Sequence, residues 1–171
     1  MPKPKSHHYK TRLTWTGAAQ GPTGDYRTYS REYRAELAGK PAVTGSADPA
    51  FLGDPKLTNP EEMLLIALAS CHMLSYLALA ALEGLEVVAY EDAAEGTMLQ
   101  EGRGGRFSEV VLRPRVIVAA GGDLARAEAL HGDANATCFI ANSVNFPVRH
   151  EAEITVADEG AGSTAAREPA E

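Results

Sequence analysis

Hydrophobic and polar positions alternate at the start of the chain. In "HHYKTRLTW", Tyr9, Thr11, Leu13 and Trp15 fall on one side and His8, Lys10, Arg12 and Thr14 on the other, which predicts a half-buried strand. Turn residues follow in "GAAQGPTGD", and "YRTYSREYRAEL" reads as one or two further strands. From Gly39 to Thr58 the alternation dissolves into a Gly-, Pro- and Asp-rich connection. It is too irregular for a regular element, and its length suits a lid or binding loop.

The period then changes. In "TNPEEM", Asn59 suits a helix N-cap, Pro60 the first helical position and Glu62 the third position of a capping box. A helix is predicted from there to about Glu83–Gly84, with Gly84 as its stop. "LEVVAYEDAAEGTM" and "RFSEVVLRPRVIVAA", joined by "LQEGRGG", predict a hairpin of two long strands. Pro114 places the second of these at a sheet edge or a bulge. Asp123 caps a second helix over "DLARAEALHGDANATCFIANSV", which Gly132–Asp133 can break or kink, and "RHEAEITVAD" gives a last short strand. This order fits a two-layer α+β domain, a mainly antiparallel sheet packed on two main helices. The domain is expected over residues 1–157, and the polar tail 158–171 is expected to be disordered.

The stretch "LLIALASCHMLSYLALAAL" carries no formal charge and is long enough to span a membrane. Its flanks are acidic (Glu61, Glu62, Glu83), and Ser70, His72, Ser75 and Tyr76 would sit poorly in lipid. The expected alternative is a helix of a soluble protein, buried all round. A chain of 171 residues covers one side of such a helix with its own sheet. The other side is expected to pack on a second copy, making a homodimer.

Composition narrows the function classes. With 44% hydrophobic and 23% charged residues the chain can bury a substantial core. A net charge of −7 argues against an electrostatic grip on nucleic acid or anionic membranes. The N-terminal "MPKPKSHHYK" lacks the apolar region of a signal peptide, so a cytoplasmic location is expected. Cys71 and Cys138 are too few for a disulfide-stapled secreted scaffold and have no zinc-knuckle spacing. Two readings stay open: free core cysteines, or a thiol pair that cycles through a disulfide.

Cys71 lies mid-helix, too far from the N-terminus for the helix dipole to help form its thiolate. His72 points about 100° away around the helix, so it reads as a hydrogen-bonded packing residue and a poor base for Cys71. A buried cation would have to come from elsewhere, and Arg is the type that stays charged. Cys71, His72, His131 and Cys138 lack a recognised metal-ligand spacing. Trp15, Phe107 and Phe139 are expected in the core; Leu64, Leu65, Leu68 and Met73 fit either packing or an apolar pocket.

"NPEEMLLIALASCHM", followed after a long hairpin by a helix carrying "ATCFIANSV", resembles the OsmC/Ohr family of osmotically inducible and organic hydroperoxide resistance proteins. The resemblance spans residues 8–157. It implies an OsmC-like two-layer α+β fold, an intertwined homodimer with active sites at the subunit interface, and thiol-dependent peroxidase activity in oxidative-stress defence. By that pattern Cys71 is the peroxidatic cysteine that reduces an organic hydroperoxide and becomes a sulfenate. Cys138 is the resolving thiol, and the resulting disulfide is reduced by an external dithiol, often a lipoyl group. No metal or organic cofactor is implied.

The family also activates its cysteine with a Glu and an Arg. Glu61 matches the Glu position, ten residues before Cys71. Ten helical residues span about 15 Å, so Glu61 reaches only a partner's Cys71, across antiparallel central helices. Arg27, Arg31 and Arg34 lie in the region where one subgroup keeps its Arg, with Arg27 preferred and Arg31 next. Alternation puts Arg27 and Arg31 on one side of a strand. "ATCFIANSV" departs from the family's more usual "CP" signature. The alternative reading is an OsmC-like protein that binds a small apolar ligand or senses redox state without efficient turnover.

Overall fold

The structure is a computed structural model, and it describes residues 5–158; most of the tail expected to be disordered, from 159 onward, lies outside them. Two helices and nine strands among the described residues make an α+β fold, as the patterning predicts. The chain is described in two compact units, divided after Leu64.

The first unit holds β1 (Arg12–Trp15), β2 (Tyr33–Glu36) and β3 (Val43–Gly45). They form an antiparallel sheet in the order β1-β2-β3, with Leu13 opposite Ala35 and Ala35 opposite Val43. The strands are shorter than the alternation suggested, and the connection 39–58 is less irregular than predicted. It contains β3 and a short 3-10 turn at Pro49–Phe51. β3 exists because β2 offers it an edge, a pairing that local composition does not encode. Gly45 bridges to Thr58 and lies under the Tyr33 ring, where any Cβ would come within 2.4 Å of the hydroxyl oxygen.

Helix α1 (Pro60–Leu82) begins as its sequence dictates. The Glu62 amide donates to Asn59 Oδ1 (2.8 Å), and the Asn59 amide donates to Glu62 Oε2 (3.1 Å), a reciprocal capping box. Asn59 Nδ2 also donates to Asp48 (3.3 Å). The helix stops at Gly84, whose φ of 74° only glycine adopts cheaply, and the Leu85 amide closes back on Ala80 O at 2.9 Å.

The second unit contains β4 (Val87–Asp92), β5 (Glu95–Glu101), β6 (Gly104–Leu112), β7 (Pro114–Val118), α2 (Leu124–Thr137), β8 (Val148–His150) and β9 (Glu153–Val156). The predicted hairpin is split. β5 and β6 pair in a sheet ordered β5-β6-β8, while β4 and β7 pair in another ordered β4-β7-β9. The break falls at Arg113–Pro114, opposite Asp92. Arg113 is anchored there, its amide donating to Asp92 (2.7 Å) and its guanidinium to Glu95 and Glu151. Pro114 therefore does not mark an edge: β7 is the centre of its sheet, and the proline takes its first position. The single last strand expected at the C-terminus is two, β8 and β9, which run parallel to β6 and β7. Helix α2 is capped by Asp123, whose Oδ1 accepts from the Arg126 amide at 3.0 Å, and it runs unbroken through Gly132.

The core of this unit lies between the helices and β4-β7-β9. Alternate residues of β7, Val116 and Val118, meet Tyr76 and Ala80 of α1 and Ala127, Leu130 and Ala134 of α2. One stripe of α1 is buried, Leu68, His72, Tyr76 and Ala80, at helical spacing. All-round burial is not met within the chain: Ile66, Leu74 and Leu82, on the opposite side, are 60%, 62% and 82% exposed.

A polar stack sits inside this core. The His72 and His131 rings are stacked with Nε2 of the former 3.0 Å from Nδ1 of the latter. Tyr76 stacks on His131 at 4.2 Å and donates its hydroxyl to Ala127 O (3.2 Å). His150 of β8 lies 5.7 Å from both imidazoles. The expectation of a hydrogen-bonded packing His72 is met. Burial, then the neighbouring imidazoles, lower His72 to about 4 and His131 to about 3, so both are neutral near pH 7.

Two outcomes follow for stability. Asn59→Ala removes the cap and should lower unfolding free energy by about 1–2 kcal/mol in urea titrations, whereas a change within error would show the cap to be dispensable. Acid acts through the imidazoles. Above pH 6.5 they do not couple folding to pH; below it the unfolded chain takes up protons that the folded chain refuses down to about 4 and 3. Stability should therefore fall from pH 6.5 towards pH 4. Near pH 5 the slope in His131→Phe should be shallower by about 1.4 kcal/mol per pH unit, the share of one proton. Equal slopes would show that His131 titrates normally.

Candidate functional site

The second unit brings the two cysteines together. Cys71 stands at the start of the fourth turn of α1, one residue before the buried His72, and is half-buried. Cys138 is fully buried and ends α2 as its C-cap, in extended conformation, rather than lying within the helix as predicted. The buried face of α2, Ala127, Leu130, His131 and Ala134, leads down to it at helical spacing. Both thiols are free.

The turn after α2 shapes the surroundings of Cys138. The Asn142 side chain donates to Ala136 O (3.0 Å) and Cys138 O (2.9 Å), tying "CFIAN" into a tight loop that ends in a 3-10 turn at Ala141–Ser143. The loop aims backbone amides at sulfur: the Ala141 N–H donates to Cys138 Sγ at 3.4 Å. Burial pushes the Cys138 thiol up, and so does its hydrogen bond with the Cys71 sulfur; the amides of Ala141 and Ile140 pull the other way. Cys71 and Cys138 are thus interacting neighbours, from residues far apart in sequence. The backbone contribution of Ile140 and Ala141 was not legible beforehand, because no side-chain type signals it.

The other predicted residues lie in the first unit. Glu61 is half-buried in the first turn of α1, and its Oε2 has no hydrogen-bond partner among the described residues. Burial and then the Glu61 charge raise the Tyr33 hydroxyl. Arg27 and Arg31 do not share the face of a strand. They lie in a turned segment before β2, where the Arg27 amide donates to Asp25 Oδ1 at 2.9 Å. Asp25 thus closes an Asx turn that breaks the alternation. Arg27 is exposed. Arg31 is held: its guanidinium donates to Tyr29 O (2.8 Å) and Tyr26 O (2.5 Å), with its Cζ 4.0 Å and 5.0 Å from the two ring centres. Arg34, on β2, pairs with Glu36.

Arg31 also lines an apolar pocket of about 690 Å³ with Leu13, Tyr33, Leu37, Val43 and Met63. Neither this pocket nor its Tyr33 was anticipated. Of the aromatics expected in the core, Phe107 packs on Phe146 at 5.6 Å, but Phe139, next to Cys138, is 82% exposed. Among the described residues no group of three or more His, Cys, Asp or Glu converges as a metal site.

Comparison with known proteins bears on the family and the fold. The chain is similar, at 32% identity and a TM-score of 0.78, to an OsmC-like protein of unknown function from Vibrio cholerae, covering 86% of this chain and all of that one. It is 25% identical over 154 residues to YmaD, an uncharacterised Bacillus subtilis protein, covering 88% of this chain and 95% of that one. An organic hydroperoxide resistance protein OsmC from Legionella pneumophila, described as a predicted redox protein, shares the fold at 18% identity and a TM-score of 0.63, covering 88% of this chain and all of that one. The model of the family described as OsmC-like protein matches residues 53–153, which include α1, both cysteines and α2, and the chain belongs to that family.

Proposed function

We propose that the protein is a cysteine-based peroxidase that reduces organic hydroperoxides in the cytoplasm. The observation that carries this reading is the neighbouring pair of Cys71, half-buried on α1, and buried Cys138 at the end of α2, two free thiols on different elements, the first of which influences the titration of the second. The Cys71 thiolate attacks the distal oxygen of the hydroperoxide, the O–O bond breaks, and the alkoxide leaves as an alcohol after taking a proton. The sulfenic acid so formed then condenses with the Cys138 thiol, giving a disulfide and water. A dithiol such as a lipoyl group reduces the disulfide, returning two electrons. Names given to fold relatives, organic hydroperoxide resistance and redox protein, are in keeping with this chemistry.

On this reading a second copy completes the site. The exposed apolar stripe of α1 needs cover, and burying Ile66, Leu74 and Leu82 contributes about 1.5–3 kcal/mol each. Antiparallel central helices would bring one copy's Glu61, with its unpartnered oxygen, to the other's Cys71. Arg31, already held by two carbonyls and two rings, is better prepared to supply the cation than exposed Arg27. The apolar pocket favours a second reading, a binder of small apolar ligands without turnover.

Thiol titration separates the two. One equivalent of an alkyl hydroperoxide should consume both thiols and form one disulfide; two unchanged thiols would exclude the peroxidase. Cys71→Ser should abolish peroxide consumption, and Cys138→Ser should allow one turnover before over-oxidation. Light scattering at micromolar concentration should give the mass of two chains, and Leu74→Glu should give one. A monomeric wild type would remove the shared site.

A further inference from the structure

The histidine couple has properties that core filling does not need. His72 Nδ1 and His131 Nε2 are buried with no hydrogen-bond partner among the described residues, a penalty that apolar side chains of similar volume avoid. Their placement suggests what offsets it. His72 follows Cys71 on α1, and His131 lies on the buried face of α2, two turns before Cys138. The 3.0 Å bond between the rings therefore ties one sulfur-bearing element to the other, with the Tyr76–Ala127 bond as a second tie one turn along α1. His72 is not placed to act on the Cys71 sulfur, since it projects about 100° from Cys71 around the helix, and His131 stands two turns before Cys138.

Disulfide closure is geometrically strict, with Cβ atoms about 3.5–4.5 Å apart. A slide of α1 against the end of α2 changes the separation of Cys71 and Cys138, so closure needs the two elements held in one register. We propose that His72 and His131 form a hydrogen-bonded strut that holds Cys71 and Cys138 at closing distance, making both histidines positioning residues for disulfide formation. This rests on the reading of the two cysteines as a redox pair, but not on which oxidant they meet.

The test is the redox equilibrium of the full-length protein in mixtures of reduced and oxidised dithiothreitol, read by thiol quenching and mass. Two electrons and two protons pass from the Cys71 and Cys138 thiols to the cyclic dithiothreitol disulfide, which opens to its dithiol. His72→Phe and His131→Phe keep the stacked rings and remove the nitrogens. Each should make the protein disulfide at least tenfold less stable, a potential about 30 mV more oxidising. His72→Gln places an amide where Nε2 was, and His131→Asn where Nδ1 was; both should stay within threefold of wild type. Loss of folding stability alone would not produce this ordering of potentials. Folded Phe variants with the wild-type potential would overturn the strut, as would amide variants no better than Phe. Should one Phe variant fail to fold, the other and the amide pair carry the comparison. A wild type that never closes the disulfide would remove the redox pair itself, and the strut's role with it.

Discussion

The structure depends on a helix that has nowhere to put a charge. From Met63 to Leu82 no residue is formally charged, so water is a poor neighbour on every side of α1. The chain meets this demand on one buried stripe, Leu68, His72, Tyr76 and Ala80, of which Tyr76 and Ala80 pack with α2 and the central strand β7 and His72 meets His131 of α2. The stripe is not simply apolar. Two of its four members carry polar atoms, and each of the two makes one bond within the core, where no solvent reaches. His72 finds His131, and Tyr76 finds a carbonyl of α2. The need to satisfy polar groups thus fixes the register between helices that hydrophobic contact alone would leave loose.

What was legible in the sequence was local, and what was hidden was remote. The start of α1 could be read because Asn59, Pro60 and Glu62 act on one another within four residues. Its end could be read because Gly84 supplies a backbone angle that other residues resist. β3 and the return strands β8 and β9 were obscure because their stability comes from partners far along the chain, with two parallel pairings that no short pattern announces. The hairpin looked continuous because its polar–apolar pattern crosses Arg113–Pro114 without interruption. The division between two sheets comes instead from the anchoring of Arg113 by Asp92, Glu95 and Glu151.

The candidate site divides in the same way. The cysteine types and positions were visible, and the adjacency of Cys71 and Cys138 is a product of the fold. The arginine segment was misread because alternation assumes an extended backbone. The Asp25 turn and the Tyr26 and Tyr29 carbonyls replace that strand with a clasp around Arg31. A polar side chain that bonds its own neighbourhood overrides the period-two pattern, because it offers the backbone a different partner.

Burial by itself orders the two sulfurs on the proposed reading. A thiol with a raised pKa is a weak nucleophile towards peroxide at neutral pH, and Cys138 is both raised and out of reach of solvent. Cys71, half-buried at the flank of α1, is the sulfur that a hydroperoxide meets. The Ala141 amide aimed at Cys138 Sγ favours the thiolate that the resolving step needs.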